Sequence, residues 1–314
     1  MALTITPFTD SDRASLLDFW GKVLPLDAIA EDTLENRILL DDNFDSETFL
    51  LAHDGNELAG FILGAYGKRT DLGDADPTKT KSWITAFGIH PARATDQVAK
   101  PLLSRLEQFF KSKGKTEVMV STYPPGYFTP GVDAKAYPRL LEFYTANGYR
   151  EVHQALSMDS SIVLFTLSDE VRSKEQKIRE KGIDIRPYRR SDLLGFLNFL
   201  ERSMPTDWVR VERANLRALT HGQFHSDQIT VVTKGDEIIG YCQFEGSHFG
   251  PFGVSDAYQG QGVGTVLLAR TLERMRTMGY HDAWVMWTDD VAAKVYQKFG
   301  FKETRRFSIL KKGL

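Results

Sequence analysis

Apolar and polar positions divide this chain into short strand-like runs interleaved with helical ones. Two hairpins stand out, at residues 49–61 and 230–241. In each, apolar or β-branched residues flank a tight turn, Asp54-Gly55-Asn56 in one and Lys234-Gly235-Asp236 in the other, which is how a hairpin reads in sequence. Between residues 265 and 278, Leu268, Leu272 and Met275 recur at the three-to-four spacing of a helix face, and Gly279 supplies a stop. Leu102, Leu106 and Phe109 predict a second such helix over 102–113, closed by Gly114. Strands are expected at 83–89, 118–122, 251–254 and 283–287, and the last helices at 138–147 and 291–299.

The pattern occurs twice. Ile5, Pro7, Phe8, Ser11 and Asp12 return as Ile185, Pro187, Tyr188, Ser191 and Asp192, each displaced by 180 residues. The same displacement carries Gly55, Glu57, Gly60 and Phe61 onto Gly235, Glu237, Gly240 and Tyr241. A period that long is duplication of a whole domain rather than a solenoid. Each copy runs strand, helix, hairpin, strand, long helix, strand, helix, strand. That order predicts an α/β (α+β) fold with helices on both faces of a sheet. Residues 168–181 are almost all polar or charged and read as a solvated connecting helix, with a disordered linker as the other option. The expected division is residues 1–167, a connector at 168–182, and residues 183–314.

Composition narrows the partners. At 314 residues, with 42% apolar and 26% charged, the chain is long enough for two domains with a large core. A net charge of −3 without a long basic run argues against nucleic acid. No basic segment followed by an apolar core opens the sequence, and no apolar run approaches the ~18–20 residues of a membrane helix. The single cysteine, Cys242, excludes an intrachain disulfide and suits a reducing cytosol. It lies in the apolar run 238–244, where a buried, inert thiol is expected. A cytoplasmic protein without metal or membrane partner is the expectation.

The candidate chemistry sits at Gln259-Gly260-Gln261-Gly262-Val263-Gly264, between the run 251–254 and the helix at 265–278. Strand, glycine turn and helix in that order make an anion site, since the turn amides and first helical N–H groups lack intrachain partners. Glycines also admit a ligand where a Cβ would collide. A tight turn holding nothing is the plain alternative. A dinucleotide fingerprint fails because Thr265 stands where its last glycine belongs, and the Gly-Lys-Ser/Thr of a nucleotide P-loop is absent.

Gln259-x-x-Gly262-x-Gly264 resembles the acetyl-CoA pyrophosphate loop of the GNAT acyltransferase superfamily. Downstream, Asp289-x-x-Ala292-x-x-Val295-Tyr296-x-x-x-Gly300-Phe301 is similar to that family's Asn-x-x-Ala-x-x-Leu-Tyr-x-x-x-Gly-Phe, departing at Asp289. The resemblance implies two tandem GNAT-like domains, each a mixed, splayed sheet flanked by helices. It implies acetyl-CoA as co-substrate, held by Phe252, Gly253, Val254, Gln259, Gly260, Gln261, Gly262, Val263, Gly264, Thr265, Asp289 and Ala292. The Val254 N–H would meet the thioester carbonyl at the splay and stabilise an oxyanion. Asp289 or Asp290 equally makes an ordinary N-cap. Tyr296 is the expected acid for the departing thiolate, a phenol that keeps its proton at neutral pH; a core tyrosine is the bland alternative. Glu245 and His248 are the candidate bases, against the plainer readings of a surface acid and a structural hydrogen-bonder.

The first copy looks worn. Ala94 stands where Gln259 does in the second, residues 95–99 hold no glycine, Asp96 would oppose phosphate, and Pro101 is expected to interrupt the helix start. Tyr144-x-x-x-Gly148-Tyr149 survives. One active site, in the C-terminal half, is therefore expected. The stiff aromatic segment 123–131 would pack in a domain seam or fold over the cleft. The expected activity is acetyl-CoA-dependent N-acetylation of a primary amine on a small molecule or peptide, by direct transfer, in a monomer or homodimer. A non-catalytic acyl-CoA sensor or scaffold is the competing class, and an aminoacyl or myristoyl transferase a more remote one. Glu245, Asp207, Asp256, Asp289 and Trp208 hint at a cationic amine.

Overall fold

Both hairpins form where the alternation places them, and each seeds a sheet. The computed structural model describes residues 3–68, 78–92, 95–121 and 129–314, without the side chains of residues 95, 206 and 207. In chain order the first elements are β1 (Leu3–Pro7), α1 (Arg13–Val23), α2 (Glu31–Leu34), β2 (Phe49–Asp54), β3 (Glu57–Tyr66) and β4 (Lys81–Ile89). Then come α3 (Thr95–Ser112), β5 (Glu117–Val120), β6 (Val132–Asp133), α4 (Pro138–Ala146) and β7 (Arg150–Ser161). The second series is α5 (Asp169–Glu180), β8 (Ile183–Pro187), α6 (Leu193–Ser203), α7 (Thr206–Thr220), β9 (Ile229–Lys234) and β10 (Glu237–Glu245). It ends with β11 (His248–Val254), α8 (Val263–Thr277), β12 (Asp282–Thr288), α9 (Asp290–Gln297) and β13 (Lys302–Gly313).

The chain divides into two units, residues 1–155 with 306–314, and residues 156–305. In the first, β1 to β5 lie in sequence order, antiparallel except for the parallel pair β4–β5. The end of β13 completes that sheet, Leu310 opposite Val120. Leu102, Leu106 and Phe110 of α3 pack with one core, and Leu16, Phe19 and Trp20 of α1 with another. In the second unit the order is β8-β9-β10-β11-β12, again antiparallel until the parallel pair β11–β12. There the end of β7 completes the sheet against β12, from Asp282 opposite Ser161 to Thr288 opposite Leu156. Along β10, Tyr241 joins the core of α6 and α7 while Cys242 joins the core of α8, the period of two that puts neighbours on opposite faces.

This division differs from the expected boundary at residue 167. The last strand of each repeat completes the other repeat's sheet, so residues 156–167 fall in the second unit and 306–314 in the first. Residues 169–180 are helical as expected, but α5 is not a solvated connector. Val171, Ile178 and Glu175 are buried. The Glu175 carboxylate accepts from Arg270 Nε at 3.0 Å and Nη2 at 2.5 Å, tying α5 to α8. Pro101 does not interrupt α3 either. It lies inside the helix, where one lost N–H bond is outweighed by the burial of Val98, Leu102 and Leu106 along one face. Among the described residues no helix is long and apolar enough to cross a membrane.

Candidate active site

Two parallel strands that part company define the site. β11 and β12 share a single register pair, His248 with Trp284, and the Trp284 N–H donates to Ser247 O at 2.9 Å. Beyond that point each strand follows its outer neighbour instead, β11 along β10 to Val254 and β12 along β7 to Thr288. A gap opens between their C-terminal halves. The Ser255 N–H donates to Ile239 O at 2.8 Å. Because hydrogen-bonded pairs alternate along an antiparallel ladder, Gly253, opposite Tyr241, also directs its backbone groups to β10. Phe252 and Val254 therefore turn theirs into the gap. Two amides, not one, line it.

After Val254 a short turn, Asp256–Tyr258, leads into the glycine loop. Gly260 and Gly262 have φ of 72° and 85°, the left-handed region that a Cβ disfavours. Gly262 is the N-cap of α8 and offers no side-chain bond, so the N–H groups of Val263, Gly264 and Thr265 keep their outward valence. A Cβ at Gly260 would meet nothing within 4 Å; its glycine serves the backbone angle, not crowding by the protein. Gln259 donates to Val254 O at 3.2 Å and to Asp256 Oδ1 at 2.8 Å, and Gln261 donates to Ala257 O at 3.0 Å. Both glutamine side chains fold back and stiffen the loop.

Asp289, expected at the cofactor, serves as the cap of α9. Its Oδ1 accepts from the N–H of Val291 at 2.9 Å and of Ala292 at 2.8 Å. The Ala292 amide is thereby engaged as well. Tyr296, two turns on, is 5% exposed. Its ring lies 5.2 Å from Phe249, 6.1 Å from Phe252 and 5.9 Å from Phe301. Burial pushes its phenol well up, with Thr288 pulling the other way, so the proton stays on at neutral pH. Cys242 is buried and its thiol is pushed up to about 12 by desolvation.

Glu245 and His248 pair across the β10–β11 turn. Glu245 is exposed, and the His248 ring lies 4.4 Å from Trp284. Six residues of strand, about 20 Å, separate His248 from Val254. Phe252 and Tyr296 thus come together, while Glu245 and His248 sit at the other end of β11.

Sequence reasoning missed Glu212. It is fully buried on α7, accepts from the Tyr241 hydroxyl at 3.2 Å, and leaves Oε2 without a partner among the described residues. Burial pushes its carboxyl up to about 8. One turn earlier, Trp208 covers Gly253, where a Cβ would lie 3.4 Å from its ring and 2.6 Å from Met204 Sδ. Trp208, Glu212 and Leu216 share one helix face, so an acid on an apolar stripe was the available signal. The Asp207 side chain, residues 93–94 and most of the aromatic segment 123–131 lie outside the described residues. A cavity of about 40 Å³ does occur in the first unit, lined by Trp20, Phe87, Val120 and Tyr144 among others. It is the size of a few waters.

Residues 225–303 match the model of the acetyltransferase (GNAT) domain family. No curated protein matches the sequence. Among solved structures, the chain is similar over 99% of its length to the GCN5-related glucosamine N-acetyltransferase region of a fungal multi-domain GH3 β-N-acetylglucosaminidase, with TM-score 0.81 and 15% identity. It spans only 38% of that larger chain. It is similar over 99% to a GCN5-related N-acetyltransferase from Sphaerobacter thermophilus (TM-score 0.70, 14% identity, 95% of that chain covered). A tandem GNAT protein from the clavulanic acid biosynthesis pathway aligns with 99% of this chain and 98% of its own (TM-score 0.62, 12% identity). Identities this low speak to fold alone. Residues 225–303 thus match the GNAT acetyltransferase domain family, and the chain as a whole shares the mixed α/β fold of tandem GNAT proteins.

Proposed function

We propose that the protein transfers the acetyl group of acetyl-CoA directly to a primary amine of a small molecule or peptide, at one site in the second unit. The observation that carries this reading is the gap between β11 and β12, with backbone N–H groups turned into it and an uncapped helix start at its mouth. Acetyl-CoA brings a thioester and a diphosphate. The amides of residues 260–265 suit the diphosphate, reinforced by the α8 dipole. The N–H groups of Val254 and Phe252 suit the carbonyl oxygen and the oxyanion that forms from it. Tyr296 gives its proton to the departing sulfur. Glu245 and His248 stand at the other end of β11, about 20 Å from Val254, too far to take the ammonium proton directly, so water in the gap carries it. Trp208, standing on Gly253, offers a ring face to a cationic acceptor.

Thiol release from acetyl-CoA across a panel of amines tests this. Glucosamine belongs early in the panel, since the fungal structural relative is named for it. Turnover with at least one amine, lost by on the order of 100-fold in kcat in Tyr296→Phe with CoA binding retained, is the expected result. Binding of acetyl-CoA without turnover of any amine would favour a sensor instead.

A further inference from the structure

The glycine loop brings no cation of its own. From Ser255 to Ala269 the sequence holds neither lysine nor arginine, and Asp256 is its one charged residue. Arg270, the first basic residue of α8, is committed to Glu175 and, at 2.6 Å, to Glu273. The amides and dipole at the start of α8 amount to roughly half a positive charge, whereas each phosphate of a diphosphate bridge carries a full negative one. The loop alone leaves that charge under-compensated.

The helix that joins the two repeats reaches the same place. Val171 of α5 packs in one core with Ala269 of α8, and Glu175 holds Arg270, which seats α5 against α8. Lys174, between those two anchors, lies on the loop: a Cβ at Gly262, the left-handed N-cap, would be 4.0 Å from Lys174 Cδ. The ammonium is two bonds beyond that atom. Its Nζ donates to Glu170 Oε1 at 2.5 Å, an i,i+4 helix pair of the kind that is weak at a wet surface. The partners are unequally covered, the Lys174 side chain 34% exposed and that of Glu170 75%. The carboxylate can turn out to solvent while the lysine stem stays over the loop.

We propose that Lys174 binds the co-substrate, its ammonium exchanging Glu170 for the diphosphate seated on the amides of residues 260–265. The inference rests on the reading of that loop as the acetyl-CoA cradle. It completes the cradle from α5, outside the matched residues 225–303.

Titration calorimetry compares wild type, Lys174→Met, Lys174→Arg and Glu170→Gln, each with CoA and with 3′-dephospho-CoA. Methionine keeps the stem over Gly262 and removes the charge, so the melting temperature should stay close to wild type. Its Kd for CoA is expected to rise on the order of 10-fold, as for one hydrogen bond to a charged group, and by the same factor for dephospho-CoA. Arginine should restore most of the affinity, and Glu170→Gln, which releases the lysine, should tighten binding about 2-fold. Wild-type affinity in Lys174→Met, no rescue by arginine, or weaker binding in Glu170→Gln would each overturn the proposal while leaving the loop assignment intact. So would a loss that vanishes with dephospho-CoA, since it would belong to the 3′-phosphate. Failure of the wild type to bind CoA at all would remove the loop assignment, and this inference with it.

Discussion

The two units carry the same strand pair and treat it differently. In the first, β4 and β5 stay zipped through four consecutive register pairs, Lys81 with Glu117 to Ile84 with Val120, and Ser121 N–H adds a bond to Ile84 O at 3.2 Å. In the second, β11 and β12 keep one pair. The helices that follow diverge in the same sense. α3 carries Asp96 in its first turn, so a carboxylate of the chain already occupies the positive end of the dipole. α8 begins at left-handed Gly262 with no acid in its first turn, and the dipole is left for something else. Tyr144 is sealed at 0% exposure with its ring 5.0 Å from Tyr149. Tyr296 lies among the rings of Phe249, Phe252 and Phe301, the second of them on the strand that lines the gap. One unit has closed its gap with packing, while the other keeps unsatisfied donors in a fixed geometry. Unsatisfied groups held rigidly are what catalysis by preorganisation needs and what stability alone would remove.

The sharpest way to break that contrast is to treat the two tyrosines alike. Beside the large kcat loss expected for Tyr296→Phe, Tyr144→Phe should leave kcat at the wild-type value. Because the Tyr144 hydroxyl is buried without a partner among the described residues, that change should raise stability by roughly 1 kcal/mol, read from denaturant melts. Equal losses in both would make the first unit catalytic and end the asymmetry.

Gly262→Ala comes next. A Cβ there meets only the Lys174 stem, at 4.0 Å, so the cost is the backbone angle, roughly 1–2 kcal/mol. Relaxation of that strain would move the loop amides, and KM for acetyl-CoA should rise on the order of 10-fold, as an equal loss of binding energy implies. An unchanged KM would detach the loop from the co-substrate.

The smallest effect on turnover concerns Glu212, whose role is in stability. Folding holds its proton up to about 8, whereas the unfolded chain releases it in the ordinary carboxylate range. The folded state binds more protons between those limits, so stability falls as pH rises through that window and is fully present below it. Glu212→Gln should flatten the decline, matching wild type near pH 5 and exceeding it near pH 8.5. Parallel melting curves across that range would show that Glu212 is not the titrating group.

Local chemistry made much of this legible. A glycine that needs positive φ, a turn between β-branched runs and an acid at a helix start each act over a few residues. The loop at 259–264, the hairpins, the duplication and the cap at Asp289 could therefore be read without a structure. The zipped and open strand pairs could not, because both are short apolar runs of the same composition. Nor could the burden on Glu212, which comes from a neighbour far away in the chain, Tyr241.

By itself the sequence determined the elements, their order, the repeat and the glycine cradle, since these depend on backbone angles and side-chain period. The tertiary structure alone decided that β7 and β13 each end in the other repeat's sheet, and where the parallel strands separate. An alternating strand carries no address for its partner. Edge pairing and desolvation are settled only when distant segments meet.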